Sequence, residues 1–140
     1  MTDTIHEDPI ARAANAMIRF YRHLDDSDYD GMADLLDGEW HRQGKVIGDR
    51  DALMAAMAGR SATRRIHHLL TNVAGVVEAD GTVTLTAYML VVQHDAGTPL
   101  DGPAPLTGFT NIRTVRARAG RGADGWQIRW LKSDAASFAA

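Results

Sequence analysis

The sequence has no cysteine, only 4 prolines and only 6% aromatic residues across its 140 positions. Without a thiol there is no disulfide, no thiolate nucleophile and no cysteine-held zinc. No apolar run approaches the ~18 residues that would read as a membrane span. The first eight residues, MTDTIHED, lack the basic stretch and apolar centre of a secretory signal. An excess of positive charge is missing too. Fifteen Lys and Arg stand against 18 Asp and Glu, giving a net charge of −3 and a pI of about 6.0. That balance argues against nucleic acid or an anionic membrane as partner. Glycine-rich phosphate fingerprints and a Gly-x-Ser-x-Gly elbow are also absent, which argues against nucleotide cofactors and a serine nucleophile. Together these absences lead to the expectation of a cytoplasmic protein that needs no cofactor.

What is present fits a single globular domain: 45% hydrophobic residues, 24% charged, and a chain long enough to bury about two thirds of its unfolded surface. Asp8 and Pro9 offer an N-cap and a first-turn proline for a helix. Ile10, Ala14, Met17, Ile18, Tyr21 and Leu24 then recur at helical spacing as one apolar stripe. Asp25 falls on that stripe, four residues after Tyr21. A carboxylate there is unexpected, because an unpaired buried charge is costly. Asp28 can cap a second helix over 29–36, ended by Asp37 and Gly38. Residues 39–46, with Trp40 and His41, read as irregular or extended, and a third helix is expected over 50–58.

Residues 64–73, RRIHHLLTNV, open a strand on which the neighbouring His67 and His68 must point to opposite faces. Strand-like residues continue to Glu78. Asp80-Gly81 then reads as a two-residue hairpin turn, and residues 82–93 return. A two-residue loop sets His68 opposite Gln93. It also puts His68, Leu70 and Asn72 on one face with Leu85, Met89 and Val91, the more apolar face and so the inner one. His67, Leu69, Val73, Leu90 and Val92 fall outside. The proline- and glycine-rich residues 94–106 form a loop of the kind that often covers a binding site. A third strand over 107–119 carries Phe109, Asn111, Arg113 and Val115 on one face. Arg113, Arg116, Arg118 and Arg121 read as solvated. After a turn over 120–125 comes a last strand over 126–132 with Trp126, Ile128 and Trp130 inward, and then a loosely held tail. Three helices followed by an antiparallel sheet make an α+β layout.

Tyr21-x3-Asp25-x2-Asp28-Tyr29, Arg65-x-His67-His68-x3-Asn72, Gly108-Phe109-x-Asn111 and Gly125-Trp126-x-Ile128 occur in that order. In this the chain resembles the SnoaL-like branch of the nuclear transport factor 2-like superfamily, over about residues 9–132. The resemblance implies a cone in which helices and a curved sheet enclose an apolar pocket. Enzymes of this fold such as scytalone dehydratase and hexachlorocyclohexane dehydrochlorinase use a His-Asp general base. By similarity those residues fall on His68 and Asp25, with Tyr21 as the helical tyrosine. Trp40, Asn72, Met89, Asn111 and Trp126 are the expected substrate-binding residues. A second strand histidine of scytalone dehydratase has no counterpart, since His94 faces outward in this register. The extra acidic groups of a ketosteroid isomerase have none either.

Six histidines leave metal binding to be weighed, but no two have helical i, i+4 spacing, and His67 and His68 cannot reach one ion from a regular strand. The expectation is therefore a metal-free lyase or isomerase acting on a small hydrophobic ring substrate. The alternative is a non-catalytic ligand-binding or scaffold module, like the small subunit of ring-hydroxylating dioxygenases. The apolar outer sheet face, together with the family's habit, implies a homo-oligomer, a dimer or trimer.

Overall fold

The first helix starts where the sequence offers a cap. In the computed structural model, which describes residues 8–140, the Asp8 carboxylate accepts the backbone N–H groups of Ile10 and Ala11 at 3.1 and 3.3 Å. Residues 1–7, and with them the reading of the N-terminus, lie outside the described residues. Helix α1 (Pro9–Asp25) is followed by α2 (Tyr29–Leu35), β1 (Leu36–Arg42), β2 (Lys45–Ile47) and α3 (Arg50–Ala58). The long strands β3 (Arg64–Val77), β4 (Val83–Asp95), β5 (Asn111–Gly122) and β6 (Gly125–Ser133) follow, then a short β7 (Phe138–Ala139). The strands form one sheet in the order β2-β1-β6-β5-β4-β3, with β7 added to β5. Among the described residues only β1 and β6 run parallel. The helices pack on this mixed, strongly curved, unclosed sheet, an α+β cone, and α1 crosses it in contact with β3, β4, β5 and β6.

The core stripe of α1 is rotated from the expected one. Ala13, Ala16, Met17, Phe20, Tyr21 and Leu24 are buried, whereas Ile18 is 42% exposed. Phe20 is the largest fully buried side chain and stands edge-on to both Tyr21 and Trp40, at centroid distances of 5.7 and 5.0 Å. The helix can lie close because β3 carries Gly75 beneath it. A Cβ there would sit 2.7 Å from Ile10 Cγ2. Asp37 and Gly38 do not end α2; they belong to β1, where Gly38 passes so near the Arg129 backbone that any side chain would collide with it.

The β3–β4 hairpin corrects the expected register. Its loop has three residues, not two. Gly81 at φ 85° donates to the Glu78 carbonyl at 3.0 Å, and Glu78 N–H bonds Thr82 O at 2.8 Å, so Val77 faces Val83. A bulge between Thr71 and Ala74, with Asn72 at φ 53°, shifts the pairing again. His68 consequently faces Val91, two residues from the expected Gln93. Two one-residue shifts in the same sense leave its parity unchanged, and His68 remains on the inner face. Past the bulge the alternation inverts: Val73 packs against the core, while Asn72 is exposed.

A second irregularity, opposite Arg118 and Ala119, lets β6 bury both Ile128 and Leu131. Trp130 therefore points outward, against His41 at 5.6 Å. Strand β5 begins at Asn111, later than expected, and Phe109 before it is 48% exposed. The tail is tied down: the N–H groups of Asp134, Ser137 and Ala140 bond the carbonyls of Thr114, Ile112 and Thr110 at 2.8–3.0 Å. Among the described residues no helix is long and apolar enough to cross a membrane.

Candidate active site

Asp25 is the last residue of α1, and His68 sits five residues into β3. The open edge of the sheet brings them together. Among the described residues β3 pairs only with β4, and Val91, opposite His68, accepts Thr110 N–H on its β5 side. His68 and Val91 thus form a non-hydrogen-bonded pair, and the His68 N–H points away from the ladder. The Asp25 Oδ2 takes it at 2.9 Å, while Oδ1 contacts His68 Nδ1 at 2.5 Å. The two side chains are only 7% and 11% exposed. An aspartate accepting at Nδ1 fixes the tautomer: Nδ1 carries the proton and Nε2 keeps its lone pair. Nε2 has no protein hydrogen-bond partner among the described residues.

Tyr21, one helical turn before Asp25, lays its ring 5.3 Å from the imidazole. Its hydroxyl is buried beside Ser133 yet makes no well-formed hydrogen bond. Burial pushes the phenol up to about 12, partly offset by Ser133 and by the charge of Arg113. The phenol therefore stays protonated through the neutral range, buried beside Ser133.

These groups line a cavity of about 480 Å³. Its apolar wall is Leu24, Trp40, Ile66, Met89 and Val91; its polar lining includes Asn111, Arg42, Arg60, Arg64 and Arg113. Of the residues expected around a pocket, Tyr21, Trp40, His68, Met89 and Asn111 are brought together, with Asp25 behind His68. Asn72 and Trp126 are not. Asn72 is carried outward by the bulge. Trp126 lines a separate groove of about 1040 Å³ on the opposite side of α1, with Arg12, His23, Asp34 and Arg50. Residues 96–110 do not line the cavity; Arg65 holds that loop through the Leu100 and Gly102 carbonyls at 3.3 and 2.7 Å. The arginines are what the sequence reading missed. Arg113 read as solvated, although its place beside Asn111 and Val115 on one strand face was the available signal. Among the described residues no three His, Asp or Glu side chains gather as a metal would need.

The family model for the SnoaL-like domain matches residues 10–132. The chain belongs to the SnoaL-like domain family. No curated protein matches it. Among solved structures it is similar to ActVI-ORFA from Streptomyces coelicolor, with 26% identity over 89% of this chain and 96% of that one and a TM-score of 0.70. A protein from Catenulispora acidiphila shares 25% identity over 89% of this SnoaL-like chain and 88% of its own, also at a TM-score of 0.70. An NTF2-like protein with a cystatin-like fold from Novosphingobium aromaticivorans has a TM-score of 0.71 at 21% identity, over 89% and 80% of the two chains. That last likeness speaks to the fold alone.

Proposed function

We propose that this SnoaL-like protein is a cofactor-independent lyase or isomerase that removes a proton from carbon in a small cyclic substrate. The observation that carries the reading is the one-sided bonding of His68: Asp25 occupies Nδ1, and Nε2 is unpartnered in a residue that lines the cavity. In the proposed step Nε2 takes a proton from a carbon next to a ketone. The C–H electron pair moves into the enolate, and the ring becomes imidazolium, stabilised by the Asp25 carboxylate. The Tyr21 hydroxyl, buried at the cavity lining without a well-formed hydrogen bond, is the group proposed to donate to the enolate oxygen. Return of the proton to another carbon gives isomerisation; loss of a β-leaving group gives elimination. Asp25 acts through His68 and is a positioning residue.

The test is solvent exchange. Wild type should speed deuterium uptake from D2O into bicyclic ketones such as 2-tetralone, read by mass spectrometry, and His68→Ala should lose that acceleration. Equal rates for the two proteins across such a panel would sink the reading and leave a non-catalytic binding module.

We also propose that the outer sheet face forms a homodimer. Leu69, Leu90, Ile112 and Phe138 stand in one cross-strand row there, and Leu69 and Phe138 are exposed. Light scattering should give about twice the chain mass of 15.2 kDa. A mass near the monomer at micromolar concentration would refute it.

A further inference from the structure

Four of the chain's 15 basic residues line one small cavity in a protein of net charge −3. They come from separate parts of the fold: Arg42 ends β1, Arg60 follows α3, Arg64 opens β3 and Arg113 lies on β5. Among the described residues none of the four makes a direct ion pair, although Arg64 lies across the strand pair from Asp95 and helps to lower its pKa. The cavity's own acid, Asp134, is held by Arg116 at 3.1 Å, and Asp25 is committed to His68. Arg60 gives Nη1 to the Leu24 carbonyl, capping the C-terminal end of α1, and Arg113 gives Nε to Asn111. The Nε groups of Arg60 and Arg64 are buried with no acceptor at all. Arg42 is close enough to Arg60 and Arg64 for their charges to add to burial in lowering its pKa. Like charges gathered in one lining are unfavourable unless something anionic joins them.

We propose that this cluster binds a carboxylate carried on the ring substrate, at the end away from the C–H bond presented to His68. The inference deepens the proposed reaction by naming the substrate class, a cyclic ketone acid, and rests on that reading only for the chemistry at His68. Guanidinium forks match a planar carboxylate in paired hydrogen bonds. Trp40, Ile66 and Met89 supply the flat apolar wall for the ring. The cavity lining contains no lysine and no helix N-terminus, the donors that most often share in binding a phosphate.

The test is calorimetric titration with three probes that share one ring: 2-naphthoate, neutral 2-naphthamide and 2-naphthyl phosphate. Naphthoate should bind at least tenfold more tightly than the amide, and its affinity alone should fall as salt rises. Arg42→Gln and Arg64→Gln should each weaken naphthoate by about ten- to hundredfold and leave the amide unchanged. Melting temperatures would confirm that both variants fold. If exchange fails but naphthoate selectivity persists, the reaction falls and the anion site stands. Naphthoate binding no tighter than the amide, absent at millimolar concentration, or unaffected by both arginine variants would overturn the proposal. Tighter binding of the phosphate than of naphthoate would overturn the choice of carboxylate.

Discussion

Helix α1 separates two concave regions of different charge balance, the outer groove lined by acids and bases together and the inner cavity drawing most of its charge from arginine. The outer groove pairs several of its charges. Arg50 reaches Asp30 and Asp34 at 3.0 and 2.5 Å, and His23 meets Asp28 at 2.9 Å. The inner cavity has one buried pair, Asp25–His68, and its four arginines make no ion pair, with the Nε groups of Arg60 and Arg64 lacking an acceptor. A solvated groove can pair charges for modest gain and little consequence. A lining that gathers like charges carries a standing cost, and such arrangements concentrate where a ligand completes them. That difference favours the inner region as the candidate binding site, although the outer one is larger.

The sharpest test of that contrast exchanges one histidine from each side. His68→Ala should lower proton exchange by about 10²–10⁴-fold, the usual worth of a positioned base. His23→Ala in the groove should leave the rate within experimental error. A comparable loss in both variants, measured by the same deuterium uptake, would erase the distinction.

Tyr21 gives a pH signature confined to the inner side. Its folded pKa of about 12 lies above the ordinary 10, so the folded state holds its proton more tightly. That contribution is fully present below pH 10 and is lost as pH climbs through 10 to 12. The loss is on the order of 2–3 kcal/mol. Chemical denaturation across that window should show a steeper fall for wild type than for Tyr21→Phe. Parallel curves would mean that the phenol is solvated.

Two smaller effects complete the series. Asp25→Ala strands the His68 N–H and Nδ1, and should cost about 1–3 kcal/mol of stability. Asp25→Asn, which keeps an acceptor for the N–H, should cost less. Arg50→Ala breaks two groove ion pairs, yet urea midpoints should place its effect within about 1 kcal/mol. A larger loss from Arg50 than from Asp25 would invert the comparison.

Much of this was legible in the chain. The Asp8 cap and the bounds of the third helix follow from local chemistry, and the inward Asp25 and His68 from polar residues interrupting apolar periodicity. Strand register was not legible. Asp80-Gly81 supports a two-residue and a three-residue loop alike, and nothing about Asn72 announces a bulge. Those two shifts happen to preserve the facing of His68, while on β6 a single irregularity turned Trp130 outward. The arginine cluster escaped because arginine is normally solvated and its members are far apart in sequence. The parity that puts His68 inside puts Arg64 inside too, and that inference was open to the sequence alone.

The Asp25 contact with the His68 backbone has a consequence beyond chemistry. Strand β3 is the last strand of an unclosed sheet, and an edge with free N–H groups invites pairing with another molecule's strand. By occupying one of those groups from the end of α1, the carboxylate helps to keep that margin closed to self-association. Variants that remove it should therefore shift toward edge-to-edge aggregates on storage. An inactive Asp25→Ala preparation has to be checked for soluble monodisperse protein before its loss of rate is credited to the imidazole.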